Sequence, residues 1–117
     1  MNLDRDEIAR RFLAALSVAD RAAVKELVHP EVEIRTERRV HRGRLAAIEW
    51  AGKVFDHLVR RYVPVEIERT DDGLLVHAEL QYVWRESGEV GDSSKVAIEL
   101  GLRDGLISSW YLFDEPD

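Results

Sequence analysis

Two histidines are the first candidates for acid–base chemistry in this sequence. His41 lies between arginines ahead of the third predicted helix, and His57 lies near the end of that helix. A neutral imidazole can exchange a proton near neutral pH, although helix ends and surfaces are also common settings for histidine. His77 and Glu79 would share one face of a strand, but a third metal ligand with suitable spacing is missing from the sequence. We therefore predict neither a metal site nor a cofactor.

A short arginine-rich segment is the second candidate site. Residues 35 to 44 contain five arginines and one glutamate, in a chain whose formal net charge is −6. Arg42 and Arg44 flank the start of the third predicted helix, where the positive end of the helix dipole repels cations. A bound anion would relieve that repulsion, so Arg35, Arg42 and Arg44 are candidate anion-binding residues. The alternative is a solvated loop whose arginines pair with carboxylates elsewhere.

Aromatic side chains indicate a ligand more strongly than these charged groups do. A tyrosine or tryptophan combines an apolar ring with a hydrogen-bonding edge, which suits a pocket for a largely apolar molecule. For Phe12 we favour core packing. For Trp50, Tyr82 and Trp84, core packing and pocket lining both stay open, and the direction of Trp110 depends on the register of the last strand.

The predicted strands that would position these side chains are clearest in the second half of the chain. Apolar and polar residues alternate from Leu74 to Trp84, which is the period of a half-buried strand. Asp72-Gly73 and Asp104-Gly105 indicate tight hairpin turns, because glycine, and aspartate to a lesser degree, accepts positive φ. Pro64 indicates an edge strand or a bulge. We predict a short strand around Ile34 with a brief partner at Val40, a strand from Val63 to Ile67, and long strands at about 74 to 86, 92 to 103 and 106 to 113.

Helical patterns precede the long strands. Asp4 and Glu7 have the spacing of a capping box. Asp20 can cap a second helix, and Pro30 ends it because the residue before a proline is pushed out of the helical region. We predict helices from Asp4 to about Ser17, from Asp20 to His29, and from Gly43 to about Arg61.

These elements indicate a single domain over residues 1–117. The apolar face of the sheet must be covered by helices, so we predict an α+β fold with three helices packed on a strongly curved, four- to six-stranded, mainly antiparallel sheet. No apolar run approaches the roughly 20 residues that span a bilayer, the first residues lack a signal-peptide pattern, and there is no cysteine. We expect a cytoplasmic protein with no membrane partner, and the net negative charge argues against nucleic-acid binding.

Three short motifs give this order of elements a family resemblance. They are His29-Pro30-Glu31-Val32-Glu33 after the second helix, Arg42-Gly43 before the third, and Arg103-Asp104-Gly105-Leu106-Ile107-Ser108-Ser109-Trp110 at the last hairpin. Over nearly the whole chain the sequence resembles the SnoaL-like branch of the nuclear transport factor two-like superfamily, a cystatin-like α+β cone. The resemblance implies a cavity between the sheet and the helices, and homodimers formed through the sheet. It implies no single activity, because the family includes isomerases, cyclases, hydrolases and proteins without a known reaction.

The resemblance also points to positions where related enzymes carry catalytic groups. Ketosteroid isomerases of this superfamily place a tyrosine and two acids at positions that correspond here to Phe12, Thr36 and either Glu99 or Ile98. A phenyl ring has no proton to donate, and a threonine hydroxyl without a partnering base does not abstract a carbon-bound proton. Strand alternation puts Glu99 on the outer face unless a bulge intervenes. The catalytic residues stay unknown, with Thr36, His41 and Glu99 as candidates.

We therefore predict a homodimer that binds a small hydrophobic molecule in each cavity, with no assigned reaction. One alternative is an isomerase, a polyketide-cyclase-like enzyme or a hydrolase that acts on such a molecule. Another is a non-catalytic dimerisation module whose cavity is filled by its own side chains. The predicted pocket residues are Phe12, Thr36, Trp50, Tyr82, Trp84, Ile98 and Trp110.

Overall fold

The computed structural model describes residues 4–36, 38–53 and 57–115. This part of the chain forms three helices and six strands. In chain order they are α1 (Arg5–Ser17), α2 (Arg21–Leu27), β1 (Val28–Arg35), β2 (Val40–Arg42), α3 (Arg44–Ala51), β3 (Leu58–Arg69), β4 (Gly73–Trp84), β5 (Val90–Arg103) and β6 (Leu106–Asp114). None of the helices in the described ranges has the length and apolar character needed to cross a bilayer.

The six strands form one curled, open sheet in the order β2-β1-β6-β5-β4-β3. Neighbouring strands are antiparallel except β1 and β6, which are parallel. Helix α1 packs against β3 and α3 packs against β1, so the helices cover one face of the sheet. The predicted α+β fold, with three helices on a mainly antiparallel sheet, is confirmed.

Strand β4 follows the predicted alternation as far as Tyr82. Leu74, Val76 and Leu80 are buried on the face that the helices cover. Val76 lies directly opposite Ile98 of β5, which is also buried. Apolar residues at every second position of adjacent strands thus build the sheet side of the core.

Most of the turn and edge signals of the sequence mark real features. Asp104 and Gly105 both have positive φ, 56° and 76°, as a two-residue hairpin turn between β5 and β6 requires. The predicted positive-φ turn at Asp72-Gly73 is wrong, since neither residue has positive φ. Gly73 instead begins β4, where a Cβ would lie 1.8 Å from the carbonyl oxygen of Leu100. Strand β3 lies at an edge of the sheet and its pairing with β4 shifts register just after Pro64. Both readings of that proline are therefore confirmed.

The helix starts are capped differently from one another. The Asp20 carboxylate accepts a hydrogen bond from the Ala23 backbone N–H at 3.1 Å, which confirms the predicted cap of α2. The predicted capping box of α1 is wrong, since the Asp4 side chain accepts no hydrogen bond from the helix backbone. Its Oδ1 instead accepts from Arg69 Nη2 at 3.2 Å. Asp4 therefore ties α1 to the edge strand rather than to its own first turn.

The third helix is shorter than predicted. It ends at Ala51, and Leu58, which we placed on the helix, instead begins β3. Val54 and Phe55, which the predicted helix also included, lie outside the described residues. Leu58 lies opposite Trp84 in the β3–β4 ladder, so pairing with a long neighbouring strand overrides the helical periodicity of this segment. Arg60 consequently lies on a strand.

Candidate ligand cavity

A cavity of about 590 Å³ opens between the inner face of the sheet, α3 and the segment that joins β1 to β2. Its floor is largely apolar and is formed by Trp50, Tyr62, Leu80, Tyr82, Trp110 and Leu112. Its rim is polar and is formed by Arg35, Thr36, Arg38, Arg60, Ser94 and Asp114. The volume falls within the range of about 300–1,000 Å³ that is typical of small-molecule pockets.

Trp110 is the centre of the cavity floor. Its side chain is 1% exposed. Its ring meets three other rings edge to face, with centroid distances of 5.5 Å to Phe12, 5.3 Å to Trp50 and 5.8 Å to Tyr62. Edge-to-face pairs at such distances are attractive and hold the rings in place. The floor is thus preorganised, because none of these rings can turn without disturbing its neighbours.

A bulge on β6 gives Trp110 its inward direction. β6 gains one residue relative to β5 between Ile107 and Ser109. In a regular strand Ile107 and Trp110, three positions apart, would face opposite sides of the sheet. With the extra residue both are buried on the inner face. This bulge decides the register that the sequence left open.

Tyr62 provides a hydrogen-bonding group on the floor. Burial raises the pKa of its phenol above the ordinary value, while the nearby Arg60 charge acts in the opposite direction. The phenol therefore stays protonated near neutral pH. It can donate a hydrogen bond to an oxygen of a bound molecule, but it cannot serve as a base.

The rim of the cavity continues into an adjoining groove of about 660 Å³, which shares Thr36, Arg38, Trp50 and Arg60 with it. The groove adds two cations, Arg39 and Lys53, one carboxylate, Glu49, and the imidazole of His41.

The sequence matches no protein-family profile and no curated protein. Solved structures match nearly the whole chain. A proposed polyketide cyclase from Sinorhizobium meliloti is 20% identical, with a TM-score of 0.76 and coverage of 92% of this chain and 94% of its own. A proposed SnoaL-like polyketide cyclase from Jannaschia sp. CCS1 is 18% identical, with a TM-score of 0.75 and coverage of 93% and 83%. A hypothetical protein with a ketosteroid isomerase-like fold from Catenulispora acidiphila, solved in complex with trimethylamine, is 15% identical, with a TM-score of 0.78 and coverage of 94% and 86%.

This chain has the nuclear transport factor two-like fold. The fold that the resemblance implied is thereby confirmed. At these identities the likeness carries no activity from one protein to another.

Most residues of the resembling motifs join strands of the nuclear transport factor two-like fold, and of all of them only Trp110 lines the cavity. His29 is buried inside β1, where its Nδ1 accepts a hydrogen bond from the Glu31 N–H at 3.0 Å. The guanidinium of Arg103 lies beside it, with Nε 3.2 Å from His29 Nε2, and also pairs with Glu31. The hydrogen bond that Arg103 donates to Glu31, together with the Arg103 charge, holds the pKa of Glu31 below its ordinary value. The motifs therefore indicate the fold and not the chemistry.

Thr36 and His41 lie at the cavity or its groove, but within the described ranges neither is paired with a second catalytic group. The Thr36 hydroxyl donates to the Arg39 carbonyl and accepts from the Arg39 N–H, both at 3.2 Å, and so closes the turn between β1 and β2. The His41 ring lies 6.5 Å from that of Trp50. His57, the other candidate base, is exposed, and its carbonyl accepts from the Arg85 N–H.

Glu99 is not a buried acid. It is exposed on the outer face of the sheet, opposite Leu75 on β4 and Tyr111 on β6. The strand runs through this position without a bulge, so alternation decides its direction, as the sequence argument anticipated. Its neighbour Ile98, predicted as a pocket residue, is completely buried in the core.

Two predicted pocket aromatics lie elsewhere. Phe12 is completely buried behind Trp110 and does not line the cavity. This agrees with the core packing that we favoured for it. Trp84 is 48% exposed and lies over Gly91 of β5, where an added Cβ would come within 2.5 Å of its indole nitrogen. The pairing of β4 with β5 shifts register just after Tyr82, where β5 gains Gly91, and β4 ends at Trp84.

The arginines at the cavity differ from those that the helix-dipole argument selected. Of the three anion-binding candidates, Arg35 is on the rim and also pairs with Glu33 at 3.1 Å. Arg42 is exposed, with its Nε 3.9 Å from the same carboxylate. Arg44 donates from Nη2 to the Val28 carbonyl at 3.2 Å, so a backbone dipole stabilises the charge at the start of α3. Neither Arg42 nor Arg44 lines the cavity.

Sequence reasoning missed several lining residues, notably Arg38, Arg60 and Leu80. Arg60 and Tyr62 are two positions apart, and a strand pattern extended back from Val63 would have placed both on one face. Among the described residues, no group of three or more candidate ligands is arranged to hold a metal ion.

Proposed function

We propose that this chain is a SnoaL-like domain that binds a small, largely apolar molecule in the cavity, with no reaction assigned to it. The observation that carries this proposal is the volume of about 590 Å³ above a floor of aromatic and aliphatic side chains. Concave, mostly apolar sites with a few polar groups are the usual form of small-molecule sites. The same volume argues against the alternative of a dimerisation module whose cavity is filled by its own side chains.

The rigidity of the floor supports a binding role. A site whose rings are already held by edge contacts loses little side-chain entropy when a ligand arrives. The three contacts of Trp110 provide that preorganisation. Two structural neighbours are proposed polyketide cyclases, and a third was solved with a small organic molecule, which is in keeping with a ligand in this fold.

The chemistry of the lining gives less support to catalysis. Tyr62 stays protonated and the Thr36 hydroxyl is engaged with the backbone. Within the described lining, the proton acceptors that remain are carboxylates and an imidazole on the rim or groove: Asp114, Glu49 and His41. A base at the entrance is poorly placed to act on the apolar body of a molecule that lies on the floor.

The test is a binding titration with phenylnaphthylamine, a neutral apolar dye that fluoresces when it leaves water. Ser94 lies on the rim, and Ser93, also exposed, lies next to it on β5 opposite the outward-facing Gln81. Ser94→Phe should block the entrance and weaken binding about tenfold, since a ring that must be displaced costs about 1–3 kcal/mol. Ser93→Phe is the matched control and should leave binding as in the wild type.

The dye titration can also count against the proposal. A wild-type protein that does not bind the dye would leave the cavity without a demonstrated role. Equal weakening by the two phenylalanine variants would place the dye somewhere other than the cavity.

A further inference from the structure

Positive charge is concentrated around the cavity of an acidic protein. The rim and the adjoining groove carry five cationic side chains and two carboxylates among the described residues, whereas the chain has a formal net charge of −6. Glu37 and Asp56, which are close to Arg38 and Lys53 in the sequence, lie outside the described residues. A cleft in which one sign of charge predominates over apolar walls focuses its field on the opening and attracts ions of the other sign.

Arg38 is the best placed of these cations. Its side chain lines both the cavity and the groove. Within the described ranges, no hydrogen bond or ion pair engages its guanidinium, unlike that of Arg35. A guanidinium offers five N–H donors in a planar fork that fits a carboxylate, sulfonate or phosphate. Arg38 can therefore bind an anion without first giving up another partner.

Two other arginines add to the same field. Arg35 pairs with Glu33 through Nη2 alone, which leaves its remaining N–H groups able to donate. The Arg60 charge reaches the floor, because it opposes the effect of burial on the phenol of Tyr62. The positive potential therefore extends from the rim into the cavity.

We propose that the cavity selects amphipathic anions, with the apolar body of the ligand on the aromatic floor and a carboxylate, sulfonate or phosphate group at Arg38 and Arg35. This inference rests on the ligand-binding function proposed above and narrows it. An organic cation, such as the trimethylamine bound by the Catenulispora acidiphila neighbour, would be repelled by this rim.

The test compares two dyes that share an aromatic body and differ in charge. Anilinonaphthalene sulfonate carries a sulfonate that phenylnaphthylamine lacks. We define the anion preference as the Kd of the neutral dye divided by that of the sulfonate. A hydrogen-bonded charge pair at a partly exposed site should make this preference about fivefold or more at low ionic strength. The preference should fall as salt is raised from about 0.05 M to about 0.5 M, because the Debye length shortens.

Arginine variants locate the origin of the preference. Arg35→Gln and Arg38→Gln should each lower it about threefold. Arg11→Gln is a matched control for Arg35→Gln. Both side chains are 57% exposed, and each pairs with a nearby glutamate, Arg11 at 3.0 Å and Arg35 at 3.1 Å, but Arg11 lies on α1 away from the cavity. The control should leave the preference as in the wild type.

The outcomes separate this inference from the function on which it rests. A wild-type preference near unity, or an equal loss in Arg11→Gln and Arg38→Gln, overturns anion selection while ligand binding stands. Failure of the neutral dye to bind overturns the proposed apolar site itself, whatever the sulfonate does.

Discussion

Truncating Trp110 tests the arrangement of the core beneath the cavity. Removing the side chain of a buried tryptophan costs about 3–5 kcal/mol of unfolding free energy. Trp110 is 1% exposed and also makes three edge-to-face ring contacts at 5.3 to 5.8 Å. Taking about 0.5 kcal/mol for each contact, the low end for aromatic pairs, we expect Trp110→Ala to lose about 5 kcal/mol.

Two further variants make that value interpretable. A domain of this length has a total unfolding free energy of about 6–17 kcal/mol. At the lower end of that range the alanine variant would keep only a small part of its stability. Trp110→Phe retains a ring against Phe12 and should lose about 2 kcal/mol. Trp84→Ala removes the same side chain from a position that is 48% exposed, and should lose about 1 kcal/mol.

The measurement is urea-induced unfolding followed by far-ultraviolet circular dichroism, because this signal does not depend on the tryptophan that is removed. The slope of free energy against urea should be the same in all variants, since the folded state stays equally compact. A loss below about 2 kcal/mol for Trp110→Ala, or one no larger than that of Trp84→Ala, would refute the central position of Trp110.

Three other predictions concern the sheet. His77 is held between the carboxylates of Glu68 and Glu115, which raise its pKa above the ordinary value. The protonated His77 ring stabilises the fold fully below pH ~6.5, and this stabilisation is lost as the pH rises through the raised pKa. The unfolding free energy of His77→Gln should therefore be lower than that of the wild type at about pH 6, and the difference should shrink towards about pH 9. A difference that is constant over this range would argue against the bridge. Gly73→Ala should lose about 1–3 kcal/mol in urea unfolding, because its Cβ would meet a carbonyl oxygen of β5; an unchanged midpoint would contradict that close approach. The homodimer stays a prediction. If it forms through the outer face of the sheet, where Tyr111 is 41% exposed, light scattering should find a dimer for the wild type and a monomer for Tyr111→Glu. A monomeric wild type would refute the homodimer.

Local patterns predicted those parts of the fold that depend on nearest neighbours in the chain. The turn at Asp104-Gly105 needs only two residues that accept positive φ, and the cap at Asp20 needs only an acceptor beside the first helical N–H groups. The outward direction of Glu99 followed from an uninterrupted alternation. Each of these outcomes depends on a few adjacent residues and therefore leaves a signature in the sequence.

The same alternation failed where a strand gains a residue relative to its partner. A bulge reverses which side chains face inward, and its position depends on how two strands distant in sequence fit together. The bulge on β6 brings Trp110 inward, and it has no local signature in this chain, unlike the shift after Pro64.

By itself, the sequence determined that this chain would form an α+β cone of helices on an antiparallel sheet, because hydrophobic period, caps and turns are properties of short segments. Only the tertiary structure decided which side chains meet at the cavity. Arg38 and Arg60 come from a turn and a strand that are 22 residues apart, and Trp110 joins them from the last strand. Their proximity results from strand order and register, which depend on the packing of the whole chain.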